Sequence, residues 1–165
     1  MKTDYVICRD IMNKKYKIPK NDLSLRLSAY GLIFKKDKIL LSKQGDGYDF
    51  PGGGVEKGEL LEKALVREIM EETGIKVAPA KLVQLSEDFF ITLETKRPIQ
   101  SVLFYYLCKN PTGKISTSKF DRFEKTYLGK AEWVNLKDIK KIKFYNPINS
   151  LKLIDEANKI YKNKK

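Results

Sequence analysis

Four charged residues inside six positions set the question. Glu68, Glu71 and Glu72 crowd around Arg67, and the stretch is entered through Pro51 and the glycines 52 to 54. On a helix, positions 68, 71 and 72 stand at i, i+3 and i+4, so the three carboxylates share one face. Such a cluster is either a solvated helix face, where water and nearby cations offset the repulsion, or a place where a cation binds. Leu65, Val66, Ile69 and Met70 occupy the adjoining arc and are the part expected to pack on a sheet, which puts the glutamates at the rim of a core. Carboxylates held there are stable chiefly when a positive ion neutralises them, and oxygen-only donor sets suit Mg²⁺ or Mn²⁺. The glycines free the backbone to take positive φ and to approach a ligand, so their carbonyls can reach a metal and their N–H groups a phosphate.

Composition narrows the chemistry. There is no histidine, which excludes imidazole triads and histidine-based zinc sites, and Cys8 and Cys108 alone cannot form a structural zinc site. Both cysteines sit among apolar and aromatic neighbours and are expected to be small buried residues rather than a disulfide framework. The 33 Lys+Arg against 21 Asp+Glu leave a formal charge of +12, which favours polyanionic partners such as nucleotides or RNA, or serves only to keep the surface soluble. The longest apolar run, "VLFYYLC" at 102 to 108, is strand length, far short of the roughly 20 residues of a membrane span. The N-terminus lacks an uninterrupted apolar secretory segment, so a cytoplasmic protein with no membrane partner is expected.

The elements that must position the acidic face read as follows. The 165 residues suit one domain, with an N-terminal extension over 1–26 and a core over 27–165. In the extension, "DYVICRDIM" predicts a strand and "NKKYKIPKND" a basic connector. Residues 27 to 44 predict a β-hairpin turning at Lys35 to Lys38. Glu59 to Thr73 lacks Gly and Pro and predicts a helix, with Gly74 as its left-handed stop. Two strand-like runs, "KLVQLSEDFFITLE" and "IQSVLFYYLCK", flank a polar turn, "AEWVNL" predicts a last strand, and a terminal helix is expected from near Pro147. Together these predict an α/β (α+β) fold: an α/β/α sandwich with helices against a mixed central sheet.

Gly53, five residues, Glu59, seven residues, Arg67-Glu68-Ile69, one residue, Glu71-Glu72, one residue and Gly74-Ile75 match without a gap the signature of the MutT/Nudix hydrolases. A chance match in a chain this long is on the order of 10⁻⁸ to 10⁻⁷. The order of the surrounding elements also resembles that family, from about Leu27 to Ala157. The resemblance implies a hydrolase of phosphorus-containing acid anhydrides, in which water attacks a nucleoside diphosphate linked to another moiety, with Mg²⁺ or Mn²⁺ as cofactor. By position, Glu68, Glu71 and Glu72 would be metal ligands, joined by the carbonyl of Gly52 or Gly53. Glu68 is also a candidate general base, Arg67 would orient it, and Glu59 would support the loop–helix junction. Plain helix pairing of Glu59 with Lys63 and of Arg67 with Glu71 is the competing reading for those two.

The family often adds a loop carboxylate, for which Glu124 is the first candidate, followed by Asp121 and Glu132. Tyr48 and Phe50, and beyond them Phe89, Phe90 and Tyr105, are candidates to stack on a base. Neither Pro79 nor Pro98 falls where the ADP-ribose-cleaving branch would carry its downstream proline. A pyrophosphohydrolase acting on RNA 5′ ends, and a nucleotide- or RNA-binding module without chemistry, are the alternatives. The family also makes a homodimer an expectation.

Overall fold

Residues 29 to 34, "AYGLIF", carry no polar alternation because both faces of their strand are covered. Ile33 faces one apolar cluster and its neighbours Leu32 and Phe34 the other, and each cluster contains one helix. The computed structural model describes residues 4–11, 13–92, 95–120, 126 and 128–163. Among them are nine strands: β1 (Tyr5–Arg9), β2 (Lys15–Pro19), β3 (Ser24–Lys35), β4 (Lys38–Gln44), β5 (Gly47–Asp49), β6 (Gly52–Gly54), β7 (Ile75–Ile91), β8 (Pro98–Gly113) and β9 (Leu128–Asn135). Two α-helices accompany them, α1 (Leu61–Thr73) after β6 and α2 (Ser150–Lys162) near the C-terminal end.

The strands run in the order β2-β1-β7-β8-β3-β4-β5, with β6 beside β3 and β9 beside β4. β1 with β7 and β3 with β8 are parallel, and the remaining pairs are antiparallel, so the sheet is mixed. α1 packs Leu65 and Ile69 against Ala29, Ile33 and Cys108, while α2 packs Leu153, Ile154 and Ala157 against Leu32, Phe34 and Leu107. Helices on both faces of a mixed sheet are the expected sandwich.

The hairpin expected at 27–44 is β3–β4, but the two strands pair only next to their turn, through Phe34 with Ile39 and Lys35 with Lys38. Beyond that they diverge, and the glycine strand β6 takes the place beside β3, Tyr30 opposite Gly52 and Ser28 opposite Gly54. This divergence brings the glycine turn to the foot of α1. Gly74 ends α1 in the left-handed region (φ 72°), donating its N–H to the Met70 carbonyl, as its position predicted. Cys8 and Cys108 are both free and buried, also as expected.

Several boundaries differ from the sequence reading: β7 already begins at Ile75, directly after Gly74, and not at Lys81, and β9 begins at Leu128 and not at Ala131. α1 begins at Leu61 and not at Glu59, because the Glu59 carboxylate is drawn to the Glu56 N–H and to Arg67. α2 begins at Ser150 and not near Pro147, where Asn149 accepts from the Lys152 N–H as its cap. The basic connector is itself a strand, β2, paired along its length with β1 from Tyr5 opposite Pro19 to Arg9 opposite Lys15. Among the described residues no helix is long and apolar enough to cross a membrane.

Candidate active site

Arg67 sits at the centre of the acidic helix face. Its guanidinium donates to Glu59 Oε1 and Oε2 (2.9 and 2.8 Å), to Glu68 Oε1 (2.9 Å), to Glu71 Oε2 (3.1 Å) and to the Gly54 carbonyl (3.1 Å). One planar fork thus ties the turn to the helix. The hydrogen bonds from Arg67 hold the Glu59 carboxyl well below its ordinary value. Of the two readings open for Glu59 and Arg67, the structure shows both residues in this larger clasp.

The three glutamates are not equivalent. Glu68 is 16% exposed and faces the cavity, whereas Glu71 is 40% exposed and turned to Arg67. Burial pushes the Glu68 carboxyl up, in spite of Arg67 beside it. Glu72 Oε2 accepts from Ser42 Oγ on β4 (2.8 Å) and from the Gly52 N–H (3.1 Å), so two strands fix its direction. Among the described residues no three Asp, Glu, Cys or His side chains form a ready-made metal cluster. That donor set still suits Mg²⁺, which usually takes one or two carboxylates and completes its shell with waters and substrate phosphates. Three carboxylates, those of Glu59, Glu68 and Glu71, share the single guanidinium of Arg67, and Arg26 is a second cation near Glu68.

The glycines are required by contact. Gly52 has φ 147°, and a side chain there would run into the Ala29 carbonyl of β3. A Cβ on Gly53 would stand 2.5 Å from Glu68 Oε2, and one on Gly54 2.7 Å from the Arg26 guanidinium. We expect Gly52→Ala to lower stability by roughly 2 to 4 kcal/mol, since the atoms met are β3 backbone, at Ala29 and Tyr30, which cannot swing aside as a side chain would. Gly53→Ala should fold, displace Glu68 and lose at least about tenfold in turnover, which paired melting curves and rate assays would check.

The cavity at this turn has a volume of about 500 Å³ and continues away from α1 to Asp49, Phe50, Phe90, Tyr105 and Asn146. Asp49 Oδ1 accepts from the Phe50 N–H (2.7 Å) and from Asn146 Nδ2 (3.1 Å), and Asn146 Oδ1 in turn accepts from Ser150 Oγ (2.6 Å). Burial holds the Asp49 carboxyl up at about 6, against these two bonds and the charge of Arg9. A folded-state value above the unfolded one means that the native protein binds the extra proton. Its stabilising contribution is therefore complete below about pH 4 and lost as pH rises through 6. The group keeps partial solvent contact, so Asp49→Asn should gain about 1 to 2 kcal/mol over the parent at pH 8. That gain should shrink toward pH 4.5 in urea unfolding, and a constant difference across this range would contradict it.

The sequence candidates distribute unevenly. Glu68, Glu72, Gly52, Gly53 and Phe50 line the cavity, as do Phe90 and Tyr105. Tyr48 and Glu132 do not; the Tyr48 hydroxyl donates to Glu132 Oε2 (3.2 Å). Glu124 and Asp121 lie outside the described residues. Arg9, Arg26, Ser42, Asp49 and Asn146 line the cavity without having been singled out. The place of Asp49 directly before "FPGGG" was the available signal for it.

The NUDIX domain family model matches residues 24–153. The chain belongs to the Nudix hydrolase family. The Nudix segment thereby covers β3 to the start of α2 and leaves β1 and β2 outside. An 8-oxo-dGTP diphosphatase of Buchnera aphidicola subsp. Schizaphis graminum is 29% identical over 123 residues, 71% of this chain and 82% of that protein. An ADP-ribose pyrophosphatase of Methanocaldococcus jannaschii is 43% identical over 67 residues, 38% of each chain. The Nudix fold is also that of the E. coli ORF135 protein in solution, with a TM-score of 0.59, 20% identity and coverage of 88% of this chain and 97% of that one.

Proposed function

We propose that this Nudix hydrolase cleaves the diphosphate of a free nucleotide, a nucleoside triphosphate or nucleoside diphosphate derivative, with Mg²⁺ or Mn²⁺ as cofactor. The observation that carries the reading is one cavity with Glu68, Glu72 and the glycine turn at one end and Asp49 with Asn146 at the other. Its volume of about 500 Å³ is within the range of small-molecule sites. The relatives named 8-oxo-dGTP diphosphatase and ADP-ribose pyrophosphatase support the same class.

Glu68 and Glu72, with the carbonyl of Gly52 or Gly53, would hold the ion, and Glu71 would join them from the rim. When bound, the ion neutralises phosphoryl oxygens and lowers the pKa of the attacking water. Arg67 keeps Glu68 Oε1 engaged and thereby aims the other oxygen past Gly53, where it is available to a ligand or to a proton. Ser42 Oγ and the Gly52 N–H hold Glu72 in one rotamer, which limits reorganisation when charge develops. Arg26, lying against Gly54, adds positive charge beside the phosphate path. At the far end Asn146 and Asp49 offer donor and acceptor groups to a base, and Phe90 a ring face.

A phosphate-release panel tests this. Nucleoside triphosphates, 8-oxo-dGTP, ADP-ribose and 5′-triphosphorylated RNA would each be incubated with Mg²⁺ or Mn²⁺. Turnover of one or more free nucleotides is expected. Preference for the RNA would replace the substrate class, and no metal-dependent turnover at all would remove the reading.

A further inference from the structure

The Nudix match begins at residue 24, yet the strand β1 that precedes it reaches the cavity. β1 lies parallel to β7 with Arg9 in register with Phe90. On the same face, Asp88 of β7, Ser101 of β8 and Arg26 of β3 stand in register, so the hairpin β1–β2 extends the cavity wall by one strand. Arg9 donates to Asp88 Oδ2 at 2.7 Å, and the side chains are 25% and 13% exposed. A guanidinium has five N–H donors, and this is the one side-chain hydrogen bond that Arg9 makes among the described residues. An anchor for the hairpin alone would not need to present the remaining donors to a nucleotide-sized cavity.

The charges around Arg9 decide what it would meet. Asp10, Asp49 and Asp88 line the same cavity, and Arg9 is close enough that its charge acts on Asp49. A phosphate brought there would face more negative than positive charge. A neutral ring carrying a carbonyl beside an N–H instead complements a guanidinium donor held next to a carboxylate acceptor. Phe90, Arg9's neighbour in register, supplies an apolar face for such a ring.

We propose that Arg9, delivered by the N-terminal hairpin and anchored by Asp88, is a specificity residue that hydrogen-bonds the nucleobase of the substrate. This rests on the nucleotide-hydrolase reading above. The test measures kcat and KM for ATP, GTP, CTP, UTP and 8-oxo-dGTP with Mg²⁺ in the parent, in Arg9→Ala, Arg9→Gln and Arg9→Lys, and in Lys15→Ala. The last removes a positive charge from an exposed site on the same hairpin.

Arg9→Ala is expected to raise KM for the preferred nucleotide about tenfold or more, to change kcat less than about threefold, and to narrow the spread between bases. Arg9→Lys should restore only part, because it keeps the charge and loses the fork. Lys15→Ala should behave like the parent. If Arg9→Ala melts lower, Arg9→Gln, which retains a donor for Asp88, is read in its place with the same expectations. Unchanged KM and base ranking, or an equal fall in kcat for every nucleotide, would overturn the role of Arg9 alone. A parent that turns over none of the five, nor ADP-ribose, would overturn the nucleotide reading and the Arg9 proposal together.

Discussion

Glu72→Gln is expected to fold like the parent and to lose on the order of 10³-fold in turnover. The substitution is nearly isosteric, and an amide oxygen can still accept from Ser42 Oγ and the Gly52 N–H, which are the contacts that fix Glu72. The contribution to packing is therefore kept while the negative charge is removed. If Glu72 holds the divalent ion, the loss falls on the charge stabilisation of the transition state, several kcal/mol, at 1.36 kcal/mol per tenfold as a rough conversion. Stability should stay within about 1 kcal/mol of the parent, or rise, because a half-buried anion has been neutralised. A fall of only twofold to threefold would mean that Glu72 supports the turn and does not take part in the chemistry.

Arg67→Ala is expected to damage the protein in both respects. The side chain bridges Glu59, Glu68, Glu71 and the Gly54 carbonyl, and its removal leaves three carboxylates near one another without the guanidinium between them. Breaking a partly buried charge cluster in this way costs roughly 2 to 4 kcal/mol, discounted here because Arg67 retains some solvent contact. Turnover should fall about 10²-fold or more, since Glu68 would no longer be held. Arg67→Lys should recover little, as one ammonium cannot span a bidentate grip on Glu59 together with Glu68 and Glu71. Chemical unfolding and steady-state rates on the same preparations separate the two losses. A divalent ion should offset part of the instability by replacing the lost positive charge, and destabilisation by that ion would contradict the account.

The parts of this molecule legible in the sequence are those whose signals are local. The spacing of Leu65 and Ile69, the left-handed stop at Gly74 and the turn at Lys36-Asp37 each follow from a few adjacent residues, and each is where the sequence placed it. The acidic face was legible as a face, but not in its division of labour. Positions 68, 71 and 72 are neighbours by spacing alone, while Arg67 turns Glu71 toward the rim and Ser42 and Gly52 draw Glu72 to the strands. Strand β2 was concealed because the alternation of Lys15, Tyr16, Lys17 and Ile18 is short and is bounded by Asn13, Pro19 and Asn21, which read as a connector. Arg9, Arg26 and Asp88 were not legible as a group, since only the register across β1, β7, β8 and β3 brings them to one wall. The Asp49–Asn146 bond joins residues 97 apart in the chain, a separation that no local pattern encodes.

In the proposed reaction the Glu68–Glu72 end of the cavity directs water onto a nucleotide diphosphate with the help of a divalent ion. Hydrolysis in ¹⁸O-labelled water tests it most directly, with the preferred nucleotide, Mg²⁺, and mass analysis of both products. One labelled phosphoryl oxygen is expected in a single product, with arrest on chelation of the metal and resumption when Mg²⁺ is restored. Unaltered nucleotide across the whole panel with either Mg²⁺ or Mn²⁺, or label incorporation that proceeds equally in chelator, would contradict it.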